Sequence, residues 1–259
     1  MKLVDAHIHL SDSKYAEHTG ELVTDAKRFN VAALVSNSVD FNTSVGSLRL
    51  AEKYPTRVHA ALGIHPWNVN KLKKEELEKT IELIIAKHQK SAVIAIGEIG
   101  LDWKYEAIRE DQFMVFNKML HLAEKLDLPV IIHSRGTTTQ IVNMLPSYNL
   151  KKVLLHWFSC PFDALNRTID YGYYISEGPP VAYSNGIRQI VKMVPLTYFL
   201  TETDGPVTYR GNPYNGQMTK PSFIKTVIEN VAEIKKMGIL DVANQIARNF
   251  EDFFNVKLG

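Results

Sequence analysis

The chain has 259 residues, 45% of them hydrophobic, and its 30 basic and 28 acidic residues leave a formal net charge of +2. That length suits one large core, since α/β barrels routinely run to ~200–250 residues as one domain, and the near balance of charge excludes a protein that wraps a long duplex. The single cysteine, Cys160, excludes an intramolecular disulfide and suits a reducing compartment, and no run of about 18 apolar residues is present to span a membrane.

Strand-like and helix-like segments alternate along the chain. In the opening MKLVDAHIHL, Asp5, His7 and His9 occupy alternate positions, so a strand carries all three on one face and Val4, Ala6 and Ile8 on the other. Each imidazole nitrogen needs a partner once desolvated, and a metal ion supplies one, histidine being its commonest protein ligand. The same polar residues interrupt the N-terminal apolar run, so no signal peptide is expected. A helix over 20–30 follows. VAALVSNSV reads as the second strand with a helix over 42–53, VHAALGIH as the third with a charged helix over 73–90, and SAVIAIGEIGLD as the fourth with a helix over 109–126. PVIIHS, KKVLLHWFS, YYISEG and TYFLTETDG continue as strands five to eight. Helices over 138–145, 162–171 and 185–194 separate them, and two or three more close the chain, the last near 240–254.

Eight strand–helix units predict an α/β fold, a (β/α)₈ TIM barrel with C-terminal helices. Near-continuous apolar strands fit a parallel sheet buried on both faces, and the turn SDSKYAEHTG lacks the Gly-rich fingerprint of an open doubly wound sheet. No linker-like composition shift, low-complexity tract or short-period repeat breaks the chain, so residues 1–259 are expected to form a single domain.

Barrel active sites lie at the C-terminal ends of the strands, and five of the nine histidines fall there. His7 and His9 end strand one, and His65 in GIHPW ends strand three. Glu98 and Asp102 in IGEIGLDW end strand four, and His133 and Arg135 in IIHSR end strand five. His156 in LLHWFS ends strand six, and Glu202 and Asp204 in TETD end strand eight. His18, His59, His88 and His121 read as surface or partly buried side chains. The mixture of imidazole and carboxylate suits Zn, Mn, Fe or Ni, whereas Mg prefers oxygen. The donors exceed the three protein ligands usual for catalytic zinc. Two ions sharing one carboxylate account for the surplus, and such a pair clamps both oxygens of an in-line phosphoryl displacement.

Taken in order, VDAHIHL, GIHPW, IGEIGLDW, IIHSR, LLHWFS and TETDGP resemble the TatD-type metal-dependent deoxyribonucleases of the amidohydrolase-like barrel superfamily, from the first strand to the last helix. The resemblance implies two divalent ions, whether Mg, Zn or Mn. It implies His7, His9, Glu98 and Asp204 as ligands of one ion and Glu98, His133 and His156 as ligands of the other, with Glu98 bridging. It implies Asp204 as acceptor of a proton from the attacking water, and His65 near the scissile phosphate in substrate contact or proton transfer. Arg135 fits a phosphate clamp or, equally, a salt bridge to a neighbouring acid. Glu202 fits a carboxylate that orients a ligand histidine, while Asp102 and Trp103 fall one loop further out and read as structural. Two stretches depart from the family pattern. HWFSC puts Cys160, read as structural, where glycine is usual, and Thr219-Lys220 stands where Asn-Glu is common in the loop after Asp204.

The expected activity is hydrolysis of DNA phosphodiester bonds, as an exonuclease acting on a single strand or an exposed end. Lys71, Lys73, Lys74, Arg135, Arg188 and Arg210 offer positive charge on the rim. Trp67, Trp103, Trp157, Tyr209 and Tyr214 offer aromatic surface, mostly for packing, with Trp67 and Trp103 kept for base stacking. The alternative is a metal-dependent hydrolase of a small ester, amide or phosphoester, or of aminoacyl-tRNA. A carboxylated-lysine site like that of dihydroorotase is disfavoured, because no lysine ends strand four or five. The protein is expected to be cytoplasmic, monomeric or weakly oligomeric, and without a membrane partner.

Overall fold

The computed structural model describes residues 1–89, 92–105, 108–159 and 162–259. Eight parallel strands form one sheet in sequence order: β1 (Leu3–Ile8), β2 (Val31–Asn37), β3 (Val58–Leu62), β4 (Val93–Gly100), β5 (Val130–His133), β6 (Val153–Leu155), β7 (Tyr174–Glu177) and β8 (Phe199–Thr201). Seven helices alternate with them: α1 (Thr19–Arg28), α2 (Phe41–Lys53), α3 (Lys74–Lys87), α4 (Arg109–Leu126), α5 (Thr138–Met144), α6 (Phe162–Asp170) and α7 (Asn185–Met193). Two more, α8 (Phe223–Lys235) and α9 (Ile239–Phe254), close the chain. The result is a TIM barrel.

β1 and β4 are buried along their whole length, as strands must be when one face fills a barrel and the other meets helices. The helices follow local signals. Asp40 and Thr43 cap α2 reciprocally. α4 buries Val115, Phe116, Met119, Leu120 and Ala123 on one stripe and stops at Asp127 in the left-handed region. α9 packs on β1 and β8 and buries Phe250, Phe253 and Phe254.

The first and last strands meet at a seam of mixed bonds. Asp204 N–H donates to His7 O and His9 N–H to Gly205 O, each at 2.8 Å. Thr203 donates its N–H to Asp5 Oδ1 at 3.0 Å and its hydroxyl to Asp5 Oδ2 at 2.5 Å. Asp5, which shares the alternating pattern of His7 and His9, therefore ties the barrel shut.

Most helix bounds fall within two residues of the sequence expectation. α3 ends at Lys87, short of residue 90, and Lys90 lies outside the described residues. The strands depart further. KKVLLHWFS contributes only Val153–Leu155 and TYFLTETDG only Phe199–Thr201. The backbone leaves the sheet there to build the site: Trp157 has φ 39° and Asp204 φ 48°, left-handed values that no strand continues and that cost roughly 1–2 kcal/mol each. Among the described residues, no helix is long and apolar enough to cross a membrane.

Gly100 has φ +146°, and a Cβ there would stand 2.0 Å from the carbonyl oxygen of His133. Gly100→Ala is expected to destabilise the fold by about 2–4 kcal/mol in urea titration. A change within roughly 0.5 kcal/mol, the size of an ordinary surface substitution, contradicts this close approach.

Candidate metal centre

Six side chains converge at the C-terminal mouth of the barrel. His7 Nε2 and His9 Nε2 stand 3.2 Å apart. Glu98 Oε2 lies 3.2 Å from the first and 3.3 Å from the second, and Asp204 Oδ1 lies 3.4 Å from both. Four donors set tetrahedrally at the ~2.0–2.1 Å usual for zinc–nitrogen bonds stand about 3.3–3.4 Å from one another, so this spacing fits one ion. The other oxygen of Glu98, Oε1, lies 2.7 Å from His156 Nε2 and 2.9 Å from His133 Nδ1, and those nitrogens are 3.4 Å apart. The two sets touch where the His7 and His156 rings stack at 3.9 Å.

The protons make the stronger case for a cation. His9 Nδ1 lies 3.0 Å from Asn37 O. A carbonyl only accepts, so Nδ1 carries the proton and Nε2 is bare in the neutral ring. His133 Nε2 donates to Asp102 Oδ2 at 2.9 Å, which leaves Nδ1 bare as it faces Glu98. Lone pairs thus point at lone pairs across the cluster, and only added positive charge reconciles them. In the metal-free protein that charge is protons. Burial disfavours the imidazolium, yet Asp204 and Glu98 hold His9 up to about 10. Against the same burial, Asp102 and Glu98 raise His133, and Glu98 and Glu202 raise His156. Burial alone would raise Glu98, but His65, His156 and His7 hold it well below the usual carboxylate range. The donor set, four imidazoles and two carboxylates, fits divalent transition ions.

His65 differs from the other four. Its Nδ1 accepts the Trp67 backbone N–H at 3.1 Å, so Nε2 carries the proton and donates to Glu98 Oε1 at 3.1 Å. Burial pushes its pKa down to about 4, and it stays a neutral donor. Asp102, read from the sequence as structural, is the residue that reading missed. One of its oxygens accepts from both His133 Nε2 and the Trp67 indole N–H, the latter at 2.6 Å. Although burial works against the charge, the His133 and Trp67 bonds hold its pKa down to about 2. The available signal was an acid four residues beyond Glu98. Glu202 Oε1 stands 3.6 Å from His156 Nδ1, beyond bonding reach, and Glu202 accepts the Ser176 hydroxyl instead.

A cleft of about 590 Å³ opens over the cluster, with Lys14, Trp67, Arg135 and Trp157 in its walls. Arg135 is exposed and, among the described residues, forms no salt bridge, so that alternative is not realised. Several rim residues are committed elsewhere. Arg188 bonds Asn230 and Glu233. Tyr209 and Tyr214 are buried against Phe223. Trp103, expected as a stacking surface, has the Arg109 guanidinium over its ring at 4.5 Å. Cys160 lies outside the described residues.

A TIM barrel with a histidine–carboxylate cluster of this kind at its mouth defines a metal-dependent hydrolase. Residues 4–255 match the family described as TatD related DNase, and the chain belongs to that family. It is 31% identical to the metal-dependent hydrolase YabD of Bacillus subtilis (strain 168), over 98% of this chain and 99% of YabD. It is 30% identical to the deoxyribonuclease TATDN3 of Homo sapiens, over 95% of this chain and 92% of TATDN3. The crystal structure of YJJV, a TatD homolog from Escherichia coli K12, superposes with a TM-score of 0.91 at 27% identity, covering 98% of each chain.

Two outcomes follow from these contacts. Asp102→Asn removes the charge that fixes His133, and metal affinity by calorimetric titration should fall roughly 10–100-fold; unchanged affinity contradicts that role. Because His9 keeps its proton up to about 10, an arriving ion must expel it. Affinity should therefore rise with pH across the neutral range, with proton release visible in buffers of different ionisation enthalpy. Uptake without proton release contradicts the assignment.

Proposed function

We propose that the chain is a deoxyribonuclease that cleaves DNA phosphodiester bonds at a single-stranded or exposed end. In this reading His7, His9, Glu98 and Asp204 hold one divalent ion, and Glu98, His133 and His156 hold a second. The observation that carries it is the division of one buried carboxylate, with Glu98 Oε2 facing the first donor set and Oε1 the second. The imidazole-rich set favours Zn or Mn over Mg. When bound, the ions would lower the pKa of water and neutralise charge on the phosphoryl oxygens.

The chain's own groups do the rest. Asp204 lines the cleft, and in the metal-free protein, although burial opposes its charge, the bond to His9 holds its pKa down. Its carboxylate takes the proton of the attacking water. His65 lines the cleft and steadies Glu98 Oε1 through its Nε2–H; contact with the phosphate would require that bond to pass from Glu98 to a phosphate oxygen. Arg135 supplies a guanidinium fork for phosphate oxygens and Lys14 a point charge. Trp67 offers an aromatic face. A cleft of about 590 Å³ is within the range of roughly 300–1,000 Å³ that takes small ligands, which suits one splayed nucleotide better than a duplex. DNA as substrate is further supported by the activity for which TATDN3 is named.

An ion supplies several kcal/mol of charge stabilisation, so Glu98→Gln should lower cleavage of end-labelled single-stranded DNA by roughly 10³-fold or more, with the fold intact by circular dichroism. Asp204→Asn should retain bound metal by elemental analysis while losing about 10²–10⁴-fold in rate. Near-normal activity of the Gln variant contradicts bridging, and loss of all metal from the Asn variant assigns Asp204 a holding role alone. Chelated protein restored with Mg, Mn or Zn in turn identifies the working ion. Failure of every ion in protein that carries two metals moves the substrate to a small ester or amide.

A further inference from the structure

Trp67 lines the cleft and Tyr105 packs beside it, both with much of their surface in water. Trp67 is 42% exposed and Tyr105 40%, with ring centroids 5.5 Å apart and planes 28° from parallel. Singly exposed aromatics are ordinary on protein surfaces, but Trp67 is anchored and Tyr105 stacks beside it. The Trp67 indole N–H donates to Asp102 Oδ2, the oxygen that also holds His133. Its backbone N–H holds His65, and both histidine rings meet the indole at 73°, with centroids 4.7 and 6.0 Å away. The Ile108 N–H donates to Asn70 Oδ1 at 3.2 Å, tying the segment after β3 to the segment after β4. An exposed ring fixed in one plane has already surrendered the conformational freedom that a ligand would otherwise have to remove.

We propose that Trp67 and Tyr105 form a stacking platform for the nucleobase next to the cleaved phosphodiester. This rests on the nuclease reading above and extends it to what the site recognises. The ligand is the flat face of a base. The indole N–H is already committed to Asp102, so it is not free to read base edges, and stacking on a π-face tolerates any sequence. The platform would also favour unpaired ends, because a base inside a duplex already lies between its neighbours. Through the shared Asp102 oxygen it stands one residue from His133, whose Nδ1 faces Glu98.

The test is a two-by-two cycle on cleavage of a short single-stranded DNA. One axis is wild type against Tyr105→Ala, which leaves the bond from Trp67 to Asp102 in place. The other is an intact strand against one with an abasic tetrahydrofuran residue, placed on each side of the cleaved bond in turn. Base–aromatic stacking is worth enough for about a tenfold change in kcat/KM. At one of the two positions, removing the base should cost wild type about tenfold. Tyr105→Ala should lose about tenfold on the intact strand and little more on the abasic one. Equal losses on both strands, or none on either, overturn the platform while leaving the nuclease reading intact. If wild type cleaves no strand with any ion, the nuclease reading fails and calorimetric binding of the metal-loaded protein judges the platform. Binding of dAMP at least about tenfold tighter than deoxyribose 5-phosphate, with the advantage lost in Tyr105→Ala, supports it. Equal affinity for the two overturns it.

Discussion

The carboxylate of Glu98 is removed from water and faced by five imidazoles, those of His7, His9, His65, His133 and His156, at 2.7–3.3 Å. A buried charge of this kind costs several kcal/mol unless its surroundings return that energy. Two of the five rings, His9 and His133, keep their proton on the outer nitrogen and turn a bare nitrogen to the acids, whereas His65 comes with its own proton fixed by a backbone N–H. The cluster is therefore consistent with itself only when positive charge is added. Protons meet that need in the metal-free protein, and ions displace them. The rest of the site is arranged to keep those rings in place.

The barrel does this by giving up regularity where the chemistry sits. Strands six and eight each keep only three ladder residues, after which Trp157 and Asp204 turn left-handed. Gly63 lets β3 run against β4, where a Cβ would stand 2.8 Å from the Glu98 carbonyl oxygen. Asp5 holds the seam beside His7 of β1 and His9 just beyond it. Strain and close packing thus collect at one end of the sheet, while the strand interiors and helix stripes supply the stability that tolerates them.

The sequence made the architecture legible because short, near-continuous apolar runs alternate with helix-period segments, and because the polar exceptions fall at strand ends. It made the convergence of His7, His9, Glu98, His133, His156 and Asp204 legible for the same reason: fold topology brings strand ends together whatever their separation in the chain. The bond from Asp102 to His133 and Trp67 was not legible. It depends on a turn after Gly100 that folds the chain back by an amount no spacing encodes. The proton position on His65 was hidden too, since it is set by one backbone N–H. Among the aromatics, Trp103 and Trp67 look alike as letters. Only packing separates the ring under Arg109 from the ring left open beside Tyr105.

If the carboxylate of Glu98 joins two ions, anomalous diffraction from crystals soaked in manganese will show both. Two peaks about 3.5–4 Å apart are expected, one beside Glu98 Oε2 among His7, His9 and Asp204, the other beside Oε1 with His133 and His156. A single peak at saturating manganese, or two peaks with Glu98 on only one of them, contradicts bridging.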